Sequence, residues 1–77
     1  MADFNIRGRV DYRPDGYVAL VVAVPVESSD RWHGESEEEI HVTHPRALAA
    51  TRRLSVQLGA RLAQRGDSVI EVNIEEG

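Results

Sequence analysis

Tyr17-Val18-Ala19-Leu20-Val21-Val22-Ala23-Val24 is an unbroken apolar stretch set directly behind Arg13-Pro14-Asp15-Gly16. Extended to Val26 it is still about half the length a membrane-spanning helix needs, which is roughly 20 residues. A strand with one wet face alternates, and this one does not, so it reads as a central strand covered on both sides. Pro14 presets φ, Asp15 caps the turn and Gly16 takes the left-handed position, which together mark a hairpin. The strand ahead of that turn does alternate. Phe4, Ile6, Val10 and Tyr12 fall on one face, and Asn5, Arg7, Arg9, Asp11 and Arg13 on the other. Gly8 interrupts the apolar row and marks a bulge or a close approach. Pro25 lacks an N–H, so pairing should weaken there.

Downstream, Glu27 to Glu39 carries six acids and one Arg and reads as an exposed acidic loop, with Trp32 as its one large apolar group. Glu39 to Thr43 alternates again as a short third strand. His44-Pro45 stops it, with Thr43 or His44 as N-cap and Pro45 opening a helix. That helix runs from Pro45 to about Arg65. Ala47, Leu48, Thr51, Leu54, Ser55, Leu58 and Leu62 form its core stripe, and Arg46, Arg53, Gln57, Arg61 and Gln64 lie on roughly the opposite side. Gly66 is the left-handed C-cap. The tripeptide Arg65-Gly66-Asp67 matches an adhesion motif, but it stands where a helix must end and is read as a cap turn. Ile70, Val72 and Ile74 alternate with Val69, Glu71 and Asn73 in a fourth strand.

The expected fold is therefore α+β. It is one domain over residues 1–77, a two-layer β-β-β-α-β unit whose four-stranded, mostly antiparallel sheet packs on one long helix. One helix covers one face of a sheet. The other face, bearing Arg7, Arg9, Asp11 and Arg13, is a candidate interface. A chain of 77 residues buries only roughly 60% of its unfolded surface, and small domains often gain stability by oligomerising, so a homodimer is expected.

Composition narrows function. There is no cysteine, hence no disulfide or thiolate metal site. That fits a reducing compartment, as does an N-terminus without signal-peptide character, and cytoplasmic residence is expected. No membrane partner is expected. The formal charge is −4, which disfavours broad binding to nucleic acid. All nine bases are Arg, which reads first as the composition bias of a genome rich in G and C and second as selection for a donor suited to bidentate recognition of carboxylate or phosphate.

No catalytic constellation stands out. Ser28, Ser29, Ser36, Ser55 and Ser68 lie on no nucleophile elbow. Glu37-Glu38-Glu39 is a solvated, self-repelling run. His33, His41 and His44, beside Glu35 and Glu39, are of zinc-ligand type but lack convergent spacing, so neither metal nor cofactor is expected. A small enzyme using His41 and Glu39 across a dimer interface is the remaining catalytic possibility. Charge is segregated, for Ile40 to Gly66 holds five Arg and no acid. Two readings stay open: pairing of acids and arginines within the chain, or a bipolar surface that orients a partner.

Arg9-Val10-Asp11-Tyr12-Arg13-Pro14-Asp15-Gly16-Tyr17-Val18-Ala19-Leu20-Val21 resembles the opening hairpin of HicB-like antitoxin domains, and Gly34-Glu35-Ser36-Glu37-Glu38-Glu39 resembles their Gly-x-Thr-x-Glu-Glu segment. In that family the latter segment opens the helix directly, whereas Ile40 to Pro45 intervene here. The family's Pro-Gly-Cys after the second strand is absent, and no DNA-binding module follows Ile74 within these residues. The resemblance implies a partial ribonuclease-H-like β-β-β-α-β fold and a regulatory or toxin-neutralising role without catalysis. The leading expectation is a non-catalytic module that binds another protein through Arg7, Arg9, Arg13, Tyr17, Trp32, Arg46, Arg53 and Arg61. The alternative is a nucleic-acid or phosphate-ligand binder using the arginines of the open sheet face.

Overall fold

The computed structural model describes residues 2–27 and 35–75. Strands β1 (Asp3–Arg13), β2 (Gly16–Pro25) and β3 (Glu35–His41), helix α1 (His44–Gln64) and strand β4 (Ser68–Ile74) follow in that order. The sheet order is β3-β2-β1-β4. β1–β2 and β2–β3 are antiparallel and β1–β4 is parallel, so the sheet is mostly antiparallel with the helix packed on one face. β3 and β4 lie on opposite edges, and α1 carries the chain from one to the other beneath β2 and β1.

The hairpin forms where Pro14 and Asp15 separate Arg13 from its partner Gly16. Gly16 has φ +142°, and a Cβ there would stand 2.7 Å from the His41 carbonyl oxygen, so the turn requires glycine twice over. β2 is central, as its composition demands. Its two apolar rows fare differently, however. Tyr17, Ala19, Val21 and Ala23 face the helix, while Val18, Leu20, Val22 and Val24 face away. On that second face Val18 is fully buried and the other three are half-buried. Coverage on both sides was expected, but among the described residues only one face has a second layer.

The core lies between sheet and helix. Phe4 and Ile6 of β1, Ala19, Val21 and Ala23 of β2, and Ala47, Ala50, Leu54, Leu58 and Leu62 of α1 form it. The helix stripe matches the periodicity, with Ala50 added and Leu48 only half-buried. Thr51 and Ser55 are buried hydroxyls on that stripe. Their Oγ atoms donate back to the Leu48 and Thr51 carbonyls at 2.6 and 2.7 Å, which removes most of the burial cost. Gly8 marks a close approach rather than a bulge, with Thr51, Val21 and Ile74 all about 3.4–3.5 Å from where its Cβ would be.

Both helix ends use the sequence signals. Thr43 is the N-cap in extended conformation, accepting from the Arg46 N–H at 3.4 Å, and Pro45 sits in the first turn. Gly66, at φ +86°, terminates the helix. Its N–H donates to Ala63 and that of Asp67 to Leu62, each at 3.0 Å, the paired bonds of a Schellman cap.

Two further expectations are corrected. The third strand is not Glu39–Thr43. It spans Glu35–His41, overlapping the expected strand at Glu39–His41 and beginning four residues earlier, inside the stretch read as a loop, where its alternate carboxylates meet arginines at and near α1. The fourth strand does not bury Ile70 and Val72, which are 62% and 51% exposed, while Val69 and Ile74 are half-buried. A register shift between Phe4 and Asn5 against β4 puts Ile70 out of phase, whereas Val72 and Ile74 keep the positions opposite Ile6 and Gly8, and Val72 is exposed on the edge strand.

Candidate functional site

The open sheet face is the candidate site. Arg7 and Arg9 project from β1 between the Leu20–Val22 row of β2 and Asn73 of β4. With Gly8 and Glu75 these residues line a shallow hollow of about 550 Å³. It exists because β1 alternates, placing its apolar residues on the core and its arginines here. Arg9 Nε lies 3.2 Å from Asp11 Oδ1, and Arg13 Nη2 lies 4.0 Å from Glu38 Oε2. Arg7 has no ionic partner among the described residues. The hollow thus offers one uncommitted guanidinium beside an apolar floor and a side-chain amide.

The helix arginines are arranged differently. Glu35, Glu37 and Glu39 alternate with Ser36 and Glu38 along β3, so all three carboxylates point to the helix side. There Arg65, Arg61 and Arg53 donate to them in turn. The glutamates step two residues at a time along an edge strand, and the arginines step by eight and four along a helix. Both intervals return a side chain to the same face. Arg65 also pairs with Asp67 at 3.1 Å. Glu39 is shared with His41, whose Nε2 lies 2.6 Å from Oε1. The Arg53 hydrogen bond, followed by that of His41, holds the Glu39 carboxyl below its ordinary value. A carboxylate held in its ionised form is a poor proton donor.

The eight residues singled out from sequence therefore part company. Arg7, Arg9 and Arg13 share the open face. Tyr17 is on the helix side, edge-on to Tyr12 at 5.2 Å and to His44 at 5.8 Å between ring centroids. Arg46 lines a smaller depression of about 410 Å³ with His41, Ala49, Ala50 and Arg53. Arg53 and Arg61 are held in ion pairs with β3. Trp32 and His33 lie outside the described residues. Asn73 and Glu75 were not anticipated as site residues, and Glu35 and Glu37 were weighed only as a metal-ligand candidate and as part of an acidic run, without a named arginine partner for either. The Glu35-x-Glu37-x-Glu39-x-His41 alternation was the available signal for the last two. Among the described residues no three His, Asp or Glu side chains group so as to hold a metal ion, and no helix is long and apolar enough to cross a membrane.

Comparison with protein-family models, with curated proteins and with solved structures gave no match.

Proposed function

We propose that this chain is a small, non-catalytic, cytoplasmic interaction module that binds another protein through the open face of its sheet and itself forms a homodimer. The observation that carries this reading is the half-buried Leu20–Val22 row, rimmed by Arg7 and Arg9, on a face with no second layer among the described residues. An apolar floor with a cationic rim suits a partner whose contact surface is apolar at its centre and acidic at its edge. The likeness of the hairpin to HicB-like antitoxins supports a regulatory role of the same kind. Arg53, Arg61 and Arg65 are not part of this surface, since they already answer carboxylates of their own chain.

Affinity capture with wild-type protein and with an Arg7→Glu/Leu20→Asp variant, each identified by mass spectrometry, tests the reading. The expected outcome is an acidic protein retained by the wild type and lost by the variant, with circular dichroism unchanged. Identical capture by both proteins rejects the open face as the binding surface. The phosphate alternative is favoured by one observation, the convergence of Arg7, Arg9 and the Asn73 amide on one hollow, and opposed by Glu75 in the same wall. If it holds, an oligonucleotide binds and its affinity falls steeply between 50 and 200 mM salt, as phosphate contacts require.

A further inference from the structure

The two edges of the sheet are not equivalent. β3 presents carboxylates along its length, so two copies of it brought together would oppose acid to acid, a common way of blocking an edge. β4 has no such defence, as Ile70 and Val72 are more than half exposed and its outer side pairs with no described strand.

The sequence of this edge has a further property. Ile70-Glu71-Val72-Asn73-Ile74 reads nearly the same in both directions about Val72. Antiparallel pairing with a second copy about a twofold axis at Val72 therefore sets Val72 against Val72 and Ile70 against Ile74. It also sets the Glu71 carboxylate against the Asn73 amide. No like charges face each other, and β-branched residues meet β-branched residues. The backbone is poised for it. The Glu75 N–H donates inward to the Gly8 carbonyl at 2.8 Å, and alternation along the strand then turns the Val72 and Ile74 peptide groups outward, where they are unpaired.

Charge supplies a second argument. Neither Arg7 nor Glu71 has an ionic partner among the described residues. Arg7 is the β1 neighbour of Asn73 and shares the open face with it. In the twofold arrangement Asn73 lies beside Glu71 of the second copy. Arg7 is then two strand spacings from that carboxylate, about 10 Å between Cα atoms, within the combined reach of the two side chains. The same contact recurs on the other side of the axis.

We propose that the chain dimerises by antiparallel β4–β4 pairing about Val72, forming a continuous eight-stranded sheet that Arg7–Glu71 ion pairs lock across the junction. This rests on the homodimer part of the reading above and commits Arg7, which also rims the open face; the Val72→Cys cross-link, which leaves Arg7 untouched, separates the two roles. A C2 interface of this kind is self-complementary and closes on itself, so it yields dimers and not filaments.

Because the chain has no cysteine, single cysteines report the register directly. Under mild oxidation Val72→Cys should cross-link to itself, whereas Glu71→Cys and Asn73→Cys should cross-link to each other in a mixture and poorly alone. Directly opposed residues are within disulfide distance and those displaced by two are not. Arg7→Glu should weaken the sedimentation-equilibrium dimer by about tenfold, roughly 1.4 kcal/mol. Adding Glu71→Arg should restore it. Wild-type protein that sediments as monomer alone at high micromolar concentration overturns the homodimer itself. A dimer that forms without the Val72→Cys cross-link and without the charge-swap rescue overturns β4 pairing and leaves a homodimer by another surface.

Discussion

The two faces of this sheet carry comparable apolar rows and treat them differently. On the helix face Ala19, Val21 and Ala23 are sealed beneath Leu54, Leu58 and Leu62. On the open face only Val18 is sealed, while Leu20, Val22 and Val24 keep partial access to water. An apolar row records that water is disfavoured there. It does not record which molecule displaces the water. Where α1 supplies the cover the row belongs to stability, and where nothing in the described chain supplies it the row is available for recognition.

The sharpest test substitutes one leucine on each side. Leu58→Ala should destabilise the fold by about 2–5 kcal/mol through lost transfer energy and a cavity. Leu20→Ala should cost about 1 kcal/mol, since part of its surface is already wet and its removal leaves no sealed cavity. Urea melts at low micromolar concentration check the contrast, and equal losses would abolish it. A smaller effect is expected where β3 meets α1. A double-mutant cycle on Glu37 and Arg61 should give a coupling of about 0.2–1 kcal/mol, shrinking as salt is raised. Coupling that ignores salt would mean these groups are drier than their exposure indicates. The smallest effect concerns acid. The Glu39 carboxyl is lowered in the folded state, so the stability it contributes is complete above its unfolded value near 4.5 and is lost as pH falls through the folded value. Glu39→Gln should therefore flatten the acid limb of the urea-midpoint profile below pH 4.5. An unchanged acid limb would show that Arg53 and His41 do not hold the proton off.

Much of this was legible locally. The Pro14-Asp15-Gly16 turn, the Leu54–Leu58–Leu62 stripe and the Gly66 cap are set by residues within a few positions of one another, and each appears where its pattern requires. The third strand was hidden because Glu35 to Glu39 looks solvated until one knows that Arg53, Arg61 and Arg65 stand opposite, up to 30 residues away. The phase of β4 was hidden for a similar reason, since it depends on a register shift against Phe4 and Asn5. The open-face arginines were legible as a row, whereas Asn73 and Glu75 joined them only through strand pairing across the length of the chain. Periodicity shows which residues share a face, and it is silent on which face meets which.

The parallel pairing of β1 with β4 also orders assembly in time. Asp3 to Gly8 pair with Ser68 to Ile74, and the Ala2 N–H donates to Asp67 across 65 positions of sequence. The β1–β2 hairpin closes across two. Each doubling of a flexible loop costs about 0.6 kcal/mol, and about five doublings separate the two closures, so the β4 contact carries about 3 kcal/mol more entropy to overcome. The hairpin and β3 can form early and locally, whereas β4 docks late. During that interval β1 is itself a bare edge, with the Phe4 and Ile6 side chains unsealed beside it. The folding chain is thus most exposed to faulty strand exchange at the place where the finished fold keeps β4.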